Sequence, residues 1–404
     1  MKHLLAIFII LGLAPACANK DSDYSGTDAS FTTLSVSSLS VGNNHNCVTS
    51  SYGTYCWGSN FANELGNGDY AHTTYPVKVL TPDSLTNVSA GGYYTCAVVS
   101  GGIKCWGQNT KGTLGTTSVN SEITATCNAA NPCFSATPVS VEQVGGGAAI
   151  SGISKIATTE EVACAVTTAG AALCWGDNYY GQLGNATTTS SETPVQVSTL
   201  TSGVTEIATG PGSHSCAIRN GAAYCWGENG EGQLGNNSTT DSTSPVAVSN
   251  LTSGVTAIDV GEEHTCAIQN GAAFCWGYNV LGAVGDSTTT NRLVPTAVTG
   301  LSSGVTAISV GESFTCAIVN GAARCWGLNL NGETGNGTSN VVVNFPVAVT
   351  GLTSGVTAIG AGEDHACAIM GTKVYCWGLN HLGQLGNGTN RSSALPVVVV
   401  DPVL

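Results

Sequence analysis

Seven times in this 404-residue chain a cysteine is followed nine or ten positions later by another that opens the tripeptide Cys-Trp-Gly. In several copies a His stands two residues before the first cysteine, as in His264-Thr265-Cys266 with Cys275. Two chemistries use such residues. Thiolates and an imidazole are zinc ligands, whereas two cysteines alone are the halves of a disulfide. The His position separates the two readings, because it is Tyr94, Val162 and Phe314 in three copies and leaves no constant ligand set. The expectation is disulfides, with no metal and no cofactor.

The pairs are Cys47 with Cys56, Cys96 with Cys105, Cys164 with Cys174, Cys216 with Cys225, Cys266 with Cys275, Cys316 with Cys325, and Cys367 with Cys376. Strand geometry explains the spacing. With Asn220-Gly221 as the two-residue loop of a type I′ hairpin, Cys216 faces Cys225 at a non-hydrogen-bonded pair. There the strands come closest, at about 4.5 Å between Cα atoms, within the range a disulfide bridges. The interval from Cys164 to Cys174 is one residue longer, and its turn fits a three-residue loop with Gly170 in the left-handed conformation. Cys127 and Cys133 make an eighth pair, and Cys17 is the remaining cysteine.

A second group of chemically capable residues lies in the turn before each first cysteine. Glu160, Glu161, Glu262, Glu263, Glu312, Glu363 and Asp364 are expected to share one mouth of a ring, interrupted by the aromatic pair Tyr93 and Tyr94. These nine residues are the candidate partner-binding set. A ring of carboxylates attracts a basic partner or cations; the competing reading is a set of solvated turns in an acidic protein. No catalytic residues are assigned, because no nucleophile elbow, Walker loop or zinc-hydrolase motif occurs and nothing arranges Ser and His as a triad.

The bulk numbers restrict the function. Charged residues make up 9% of the chain, Gly numbers 53 and the net charge is −14 with 11 Lys and Arg. Many Gly and few charges suit short strands joined by turns. Nucleic-acid binding needs a basic field to neutralise phosphates, and no Lys/Arg cluster is present. At the N-terminus, Lys2 and His3 precede the apolar run Leu4–Ala14, the length of a signal-peptide core. It ends in "LAPAC", which resembles the bacterial lipobox and implies lipidation of Cys17; cleavage of an ordinary signal peptide before Cys17 is the alternative. Residues 1–16 are thus read as a lipoprotein-type signal peptide and 17–30 as a polar tether. Disulfides on this scale require an oxidising compartment, which agrees with export.

The elements that position these residues repeat. Cys-Trp-Gly recurs at intervals of 49, 69, 51, 50, 50 and 51 residues and uses all seven Trp of the chain. Each period contains four short strand-like runs, for example "PVAVSNL", "GVTAIDVG", "HTCAIQ" and "AAFCWG". This predicts an all-β, seven-bladed propeller of four-stranded antiparallel blades over residues 31–404. Apolar residues on both faces of the hairpin suit a blade between two neighbours, and the Trp is read as inter-blade packing. The repeats begin with "FTTLSVSSLSVG" and finish with "LPVVVV", so the ring is expected to close by pairing N- and C-terminal strands within one blade. The largest departure from the repeat is an insertion between the second and third blades at about 116–137. Gly107 to Pro138 takes 31 residues where other copies take 18 or 19. It is either a disulfide-pinned partner loop or a neutral insertion.

"GQLG" at Gly181–Gly184, Gly232–Gly235 and Gly383–Gly386, with "GxxH[ST]C" and "CWGxN", resembles the regulator of chromosome condensation repeat family over about residues 35–400. The resemblance implies a propeller that binds proteins. The family's eukaryotic founder is a nucleotide exchange factor and chromatin binder; the exported bacterial members are the nearer analogy for an acidic, disulfide-rich chain. The resulting expectation is a monomeric, lipid-anchored, non-enzymatic protein-binding scaffold at the bacterial cell envelope. It uses one rim, and membrane contact is limited to the N-terminal lipid. The alternatives are an envelope hydrolase or lyase with a central-channel site, and a purely structural surface protein.

Overall fold

A computed structural model describes residues 36–117 and 134–400. The segments read as signal peptide and tether, Cys17, the expected pair Cys127 and Cys133, and most of the insertion lie outside the described residues. The described chain forms seven four-stranded antiparallel sheets arranged as blades of a ring. In chain order the blades span residues 36–78, 86–140, 153–196, 204–247, 255–297, 305–348 and 356–398.

The fourth blade shows how the sequence makes the element. Val204–Thr209 is the innermost strand, His214–Arg219 and Ala222–Gly227 form the hairpin, and Ser242–Ala247 is the outer strand. Asn220 and Gly221 both take positive φ, 52° and 78°, as a type I′ loop requires. The register then follows by counting: Arg219 faces Ala222, and Cys216 faces Cys225.

Every blade carries one disulfide across its hairpin. Cys47 is bonded to Cys56, Cys96 to Cys105, Cys164 to Cys174 and Cys216 to Cys225. Cys266 is bonded to Cys275, Cys316 to Cys325 and Cys367 to Cys376. The Cα atoms of these pairs stand 4.0–4.1 Å apart, as expected for facing residues at a non-hydrogen-bonded position. The longer hairpin of the third blade has the expected extra residue, with Gly170 at φ 79°.

Alternation along the hairpin sends side chains to two different cores. Cys216, Ile218 and Cys225 pack with Val255, Ile258 and Trp276 of the fifth blade. Ala217 and Trp226 pack with Cys164, Cys174 and Leu183 of the third. The hydrophobic core is therefore divided among the contacts between neighbouring blades, and the disulfide of one blade shares a cluster with the Trp of the next.

The same Trp supplies a polar link between blades. Each of the seven is fully buried. Trp226 Nε1 donates to Gln182 O at 2.8 Å, and Trp276 Nε1 to Gln233 O at 2.8 Å. These carbonyls belong to the "GQLG" turn of the preceding blade, whose last glycine lies beneath the indole. A Cβ at Gly235 would stand 2.6 Å from Trp276 Nε1, and the residue holds φ 65°. Size and conformation both demand glycine there.

Two expectations are corrected. Among the described residues, no blade combines strands from the two ends of the chain. The run "LPVVVV" belongs to the outer strand Ser393–Val398 of the last blade, and the first blade is complete with Val36–Val41 as its innermost strand. The Pro-Val strand of each period runs back along the Cys-Trp-Gly strand before it, as Cys225↔Val246 shows, so it closes a blade and does not open the next. The ring closes by blade-to-blade packing of the kind used at the other junctions. Trp57 Nε1 donates to Gln384 O at 2.9 Å, and Val48 and Trp57 pack with Cys367, Ile369 and Leu385. By the same shift, the large insertion falls inside the second blade, between the strands Gly102–Gln108 and Phe134–Ser140.

Candidate functional site

Register places two sets of loops at one end of the ring. His45 faces Gly58 across the first hairpin, so the turn before the first cysteine and the loop after Cys-Trp-Gly emerge side by side. A backbone bond ties them in every blade, for example Ser59 N to Asn44 O and Tyr278 N to Glu263 O. The turns are also bonded from blade to blade: Asn43 N to Gly91 O, Gly92 N to Thr159 O, Glu312 N to Gly362 O and Glu363 N to Asn43 O. This end of the channel is therefore rimmed by anchored backbone, which fixes where the side chains of the turns stand.

The carboxylates divide into an inner and an outer set. Glu312 and Glu363 line a small recess at the channel mouth, together with Asn43, Thr159 and Pro211 from other blades. Glu160 and Glu262 are close enough to join the same field. Burial raises the Glu160 carboxyl, and the charges of Glu363, Glu161 and Glu262 raise it further. Burial, then Glu262 and Glu363, push Glu312 up to about 8. Glu363 is raised by burial although Asn44 Nδ2 donates to it at 2.6 Å. Asn43 Nδ2 likewise donates to Glu160 Oε1 at 2.7 Å.

The outer set is Glu161, Glu263 and Asp364. Glu161 is exposed and lies 3.6 Å from Lys111 Nζ, which also reaches Asp177 at 3.3 Å. Burial raises Glu263 and Asp364, with Glu262 adding to the first and His381 opposing the second.

The two tyrosines separate. Tyr93 is 44% exposed and borders a second recess with Gln108, Lys111, Glu160 and Glu161. Tyr94 is wholly buried, donates to Val162 O at 2.7 Å and belongs to a core cluster. It is removed from the contact candidates, because it occupies the slot that His fills elsewhere.

That slot explains the His residues. His214 Nε2 meets Thr265 Oγ1 at 2.8 Å, and His264 Nε2 meets Thr315 Oγ1 at 2.9 Å, each in the next blade. Thr265 and Thr315 donate their single hydroxyl protons to Gln233 O and Ala283 O. The imidazole must therefore be the donor at Nε2. Burial lowers His45, His214, His264 and His365 to about 3, so all four are neutral pins between blades.

Sequence reasoning missed two groups. The residue after each Cys-Trp-Gly-x-Asn stands outside the carboxylate turns, and in four blades it is an exposed apolar side chain: Phe61 (61%), Tyr179 (74%), Val280 (52%) and Leu330 (52%). Superposing the repeats would have shown this position, whose loop is held by the preceding Asn. Asn178, for example, is buried, accepts from Leu183 N and donates to Thr187 O and Thr189 O. The second is Asp259, a carboxylate on an innermost strand. Burial pushes it up to about 6, yet it accepts from Val260 N and from Val310 N at 2.8 Å. Ser40 and Ser309 do the same for Ala90 N and Ala361 N. Asp259 thus satisfies an otherwise open strand edge, with one oxygen bonded within its own strand and the other to the next blade.

A rigid ring with fixed backbone at one mouth and side chains that change from blade to blade defines a seven-bladed propeller. The chain belongs to the regulator of chromosome condensation (RCC1) repeat family. Family models match residues 53–98, 169–218, 220–268, 270–318 and 373–403, with a second model of the same description at 153–182 and 356–384. Human and mouse E3 ubiquitin-protein ligase HERC2 are 36% identical over 89 residues, 22% of this chain; the match spans 2% of those proteins. Among solved structures, human WBSCR16 superposes with a TM-score of 0.72 at 18% identity, covering 86% of this chain and 94% of that one. Yeast RCC1 (Prp20), crystallised with Kap60 bound, gives 0.72 at 18%, covering 96% and 92%. At that identity the likeness shows the fold.

Proposed function

We propose that this protein is an exported, lipid-anchored scaffold of the cell envelope that holds a protein partner on the carboxylate-bearing rim. The observation that carries the reading is the contrast between fixed backbone and variable side chains at that rim. Phe61, Tyr179, Val280 and Leu330 are exposed there, as is Tyr93. Large apolar and aromatic side chains on anchored loops are how interfaces are built, and a closed, disulfide-stapled ring limits the ordering cost of binding. Seven disulfides call for an oxidising compartment. The signal-like N-terminus and Cys17 support export and lipidation. Asp259 offers little to an enzyme, since its carboxylate already accepts two backbone amides.

The test is capture from an envelope extract by three forms of the full-length protein: wild type, one with residues 116–137 replaced by a short Gly/Ser loop, and the double variant Tyr179→Ser with Leu330→Ser. A partner held by the first two and lost by the third supports the rim. Loss only with the replaced loop assigns the contact to the insertion. Retention by all three removes the rim from the proposal. Fatty-acid labelling that disappears in Cys17→Ser establishes the anchor, and labelling that persists excludes it.

A further inference from the structure

Resting on the rim reading, we infer that the partner is a protein that inserts a lysine or arginine side chain into the channel mouth while seating apolar side chains on the ring around it. The surface has two concentric zones of different chemistry. The outer zone is Phe61, Tyr179, Val280 and Leu330, each more than half exposed and each at the same loop position in its blade. The inner zone is Glu160, Glu262, Glu312 and Glu363, from four different blades, with Glu312 and Glu363 lining the recess.

Charge complementarity selects the occupant. The lining of the mouth includes no Lys or Arg. Lys111 lies outside it and is engaged by Glu161 and Asp177. Beyond the effect of burial, the charges of Glu262 and Glu363 raise the proton affinity of both Glu160 and Glu312, the mark of like charges held close with no cation among them. A cation delivered from outside would relieve that repulsion. Lys and Arg suit the position because a long apolar stem carries the charge past the apolar zone to the acidic one. A second copy of this chain fits poorly, since two such mouths face to face would repel. Opposite charge also steers encounter, so binding should weaken as salt rises.

The experiment uses a displayed library of disulfide-cyclised random peptides, selected on the full-length protein. Two surface variants read the result, after their melting temperatures are matched to wild type. One combines Glu262→Gln, Glu312→Gln and Glu363→Gln; the other combines Phe61→Ser, Tyr179→Ser, Val280→Ser and Leu330→Ser. The expected winners carry Lys or Arg beside apolar residues. Their dissociation constants should rise roughly tenfold or more on each variant, with salt dependence flattened only in the Gln variant. Winners without a basic residue that are still lost on the Ser variant overturn the partner's chemistry and leave the rim standing. Winners unaffected by both variants overturn the inference and the rim together. Failure to enrich any peptide also overturns the inference. So does a dimer on gel filtration that the Ser variant dissolves, since the occupant would then be a second copy.

Discussion

At one end of the ring the hairpin tips of the fourth to sixth blades read Asn220-Gly221, Asn270-Gly271 and Asn320-Gly321; at the other, the turns before the first cysteine read Asn43-Asn44, Gly92-Tyr93, Glu160-Glu161, Glu262-Glu263 and Glu363-Asp364. Both flank the same disulfide hairpin. These three tips repeat because their backbone takes positive φ twice in succession, 50–52° at Asn and 78–79° at Gly, and few residues do so without strain. The mouth turns are held instead by backbone bonds to the Cys-Trp-Gly strand and to neighbouring blades. Those bonds ask nothing of the side chains, so the side chains are free to serve recognition. One end of each hairpin is constrained by folding and the other is available for function.

Experiments can break this division, beginning with the largest effect. Each disulfide closes a loop of nine or ten residues and restrains the unfolded chain by about 2–3 kcal/mol. Verified reduction should therefore lower the urea midpoint more than any single substitution; an unchanged midpoint would sink the staple argument. Acid should come next. The four inter-blade His residues have folded values near 3, below the ordinary 6.5, so the unfolded chain binds more protons between those limits. Their stabilisation is complete above pH 6.5 and is lost as pH falls toward 3. Glu312, raised to about 8, acts in the opposite sense: its contribution is present below its ordinary value and lost as pH rises through 8. Melting temperature should peak near pH 6.5, fall steeply below it and more gently above it. Glu312→Gln should remove much of the alkaline decline, and a decline unchanged in that variant would reject the assignment.

Single substitutions then contrast the two ends. Trp226→Ala, which removes a fully buried indole and its bond to Gln182 O, should cost about 3–5 kcal/mol in denaturant unfolding. Gly271→Ala at a tip, φ 79°, should cost about 1–2 kcal/mol because an L residue is strained there. Glu161→Gln at the mouth, exposed, should change stability by no more than about 0.5 kcal/mol. A mouth substitution as costly as a tip substitution would erase the distinction.

Much of the hairpin was legible in the sequence. The Asn-Gly loop and the nine-residue spacing led directly to Cys216 facing Cys225, and alternation led to Trp226 on the face opposite the disulfide. These follow from local geometry, where counting from a turn is enough. The mouth was legible only as a set: seven carboxylates at equivalent positions, without the division that places Glu312 at the recess and Glu161 beside Lys111. Tyr94 looked like surface because its neighbour Tyr93 is surface. The difference between adjacent residues of one turn is a matter of which way the strand's first side chain points.

The sequence by itself determined what lies within one repeat: strand number, turn type and disulfide register. The tertiary structure decided what lies between repeats. The phase of the blades was misread from the order of strands, because an antiparallel strand can pair with the one before it or with the one after it, and both choices leave the same apolar pattern. The partner of the His slot also belongs to another blade. His45, His214 and His264 face Thr95, Thr265 and Thr315, whereas the aromatic residues Tyr94 and Phe314 occupy the slot where the next blade supplies Ala163 and Ala366. Such pairs stand about fifty residues apart or more and meet only when the ring closes, so their physical necessity is written in contacts that a linear reading does not contain.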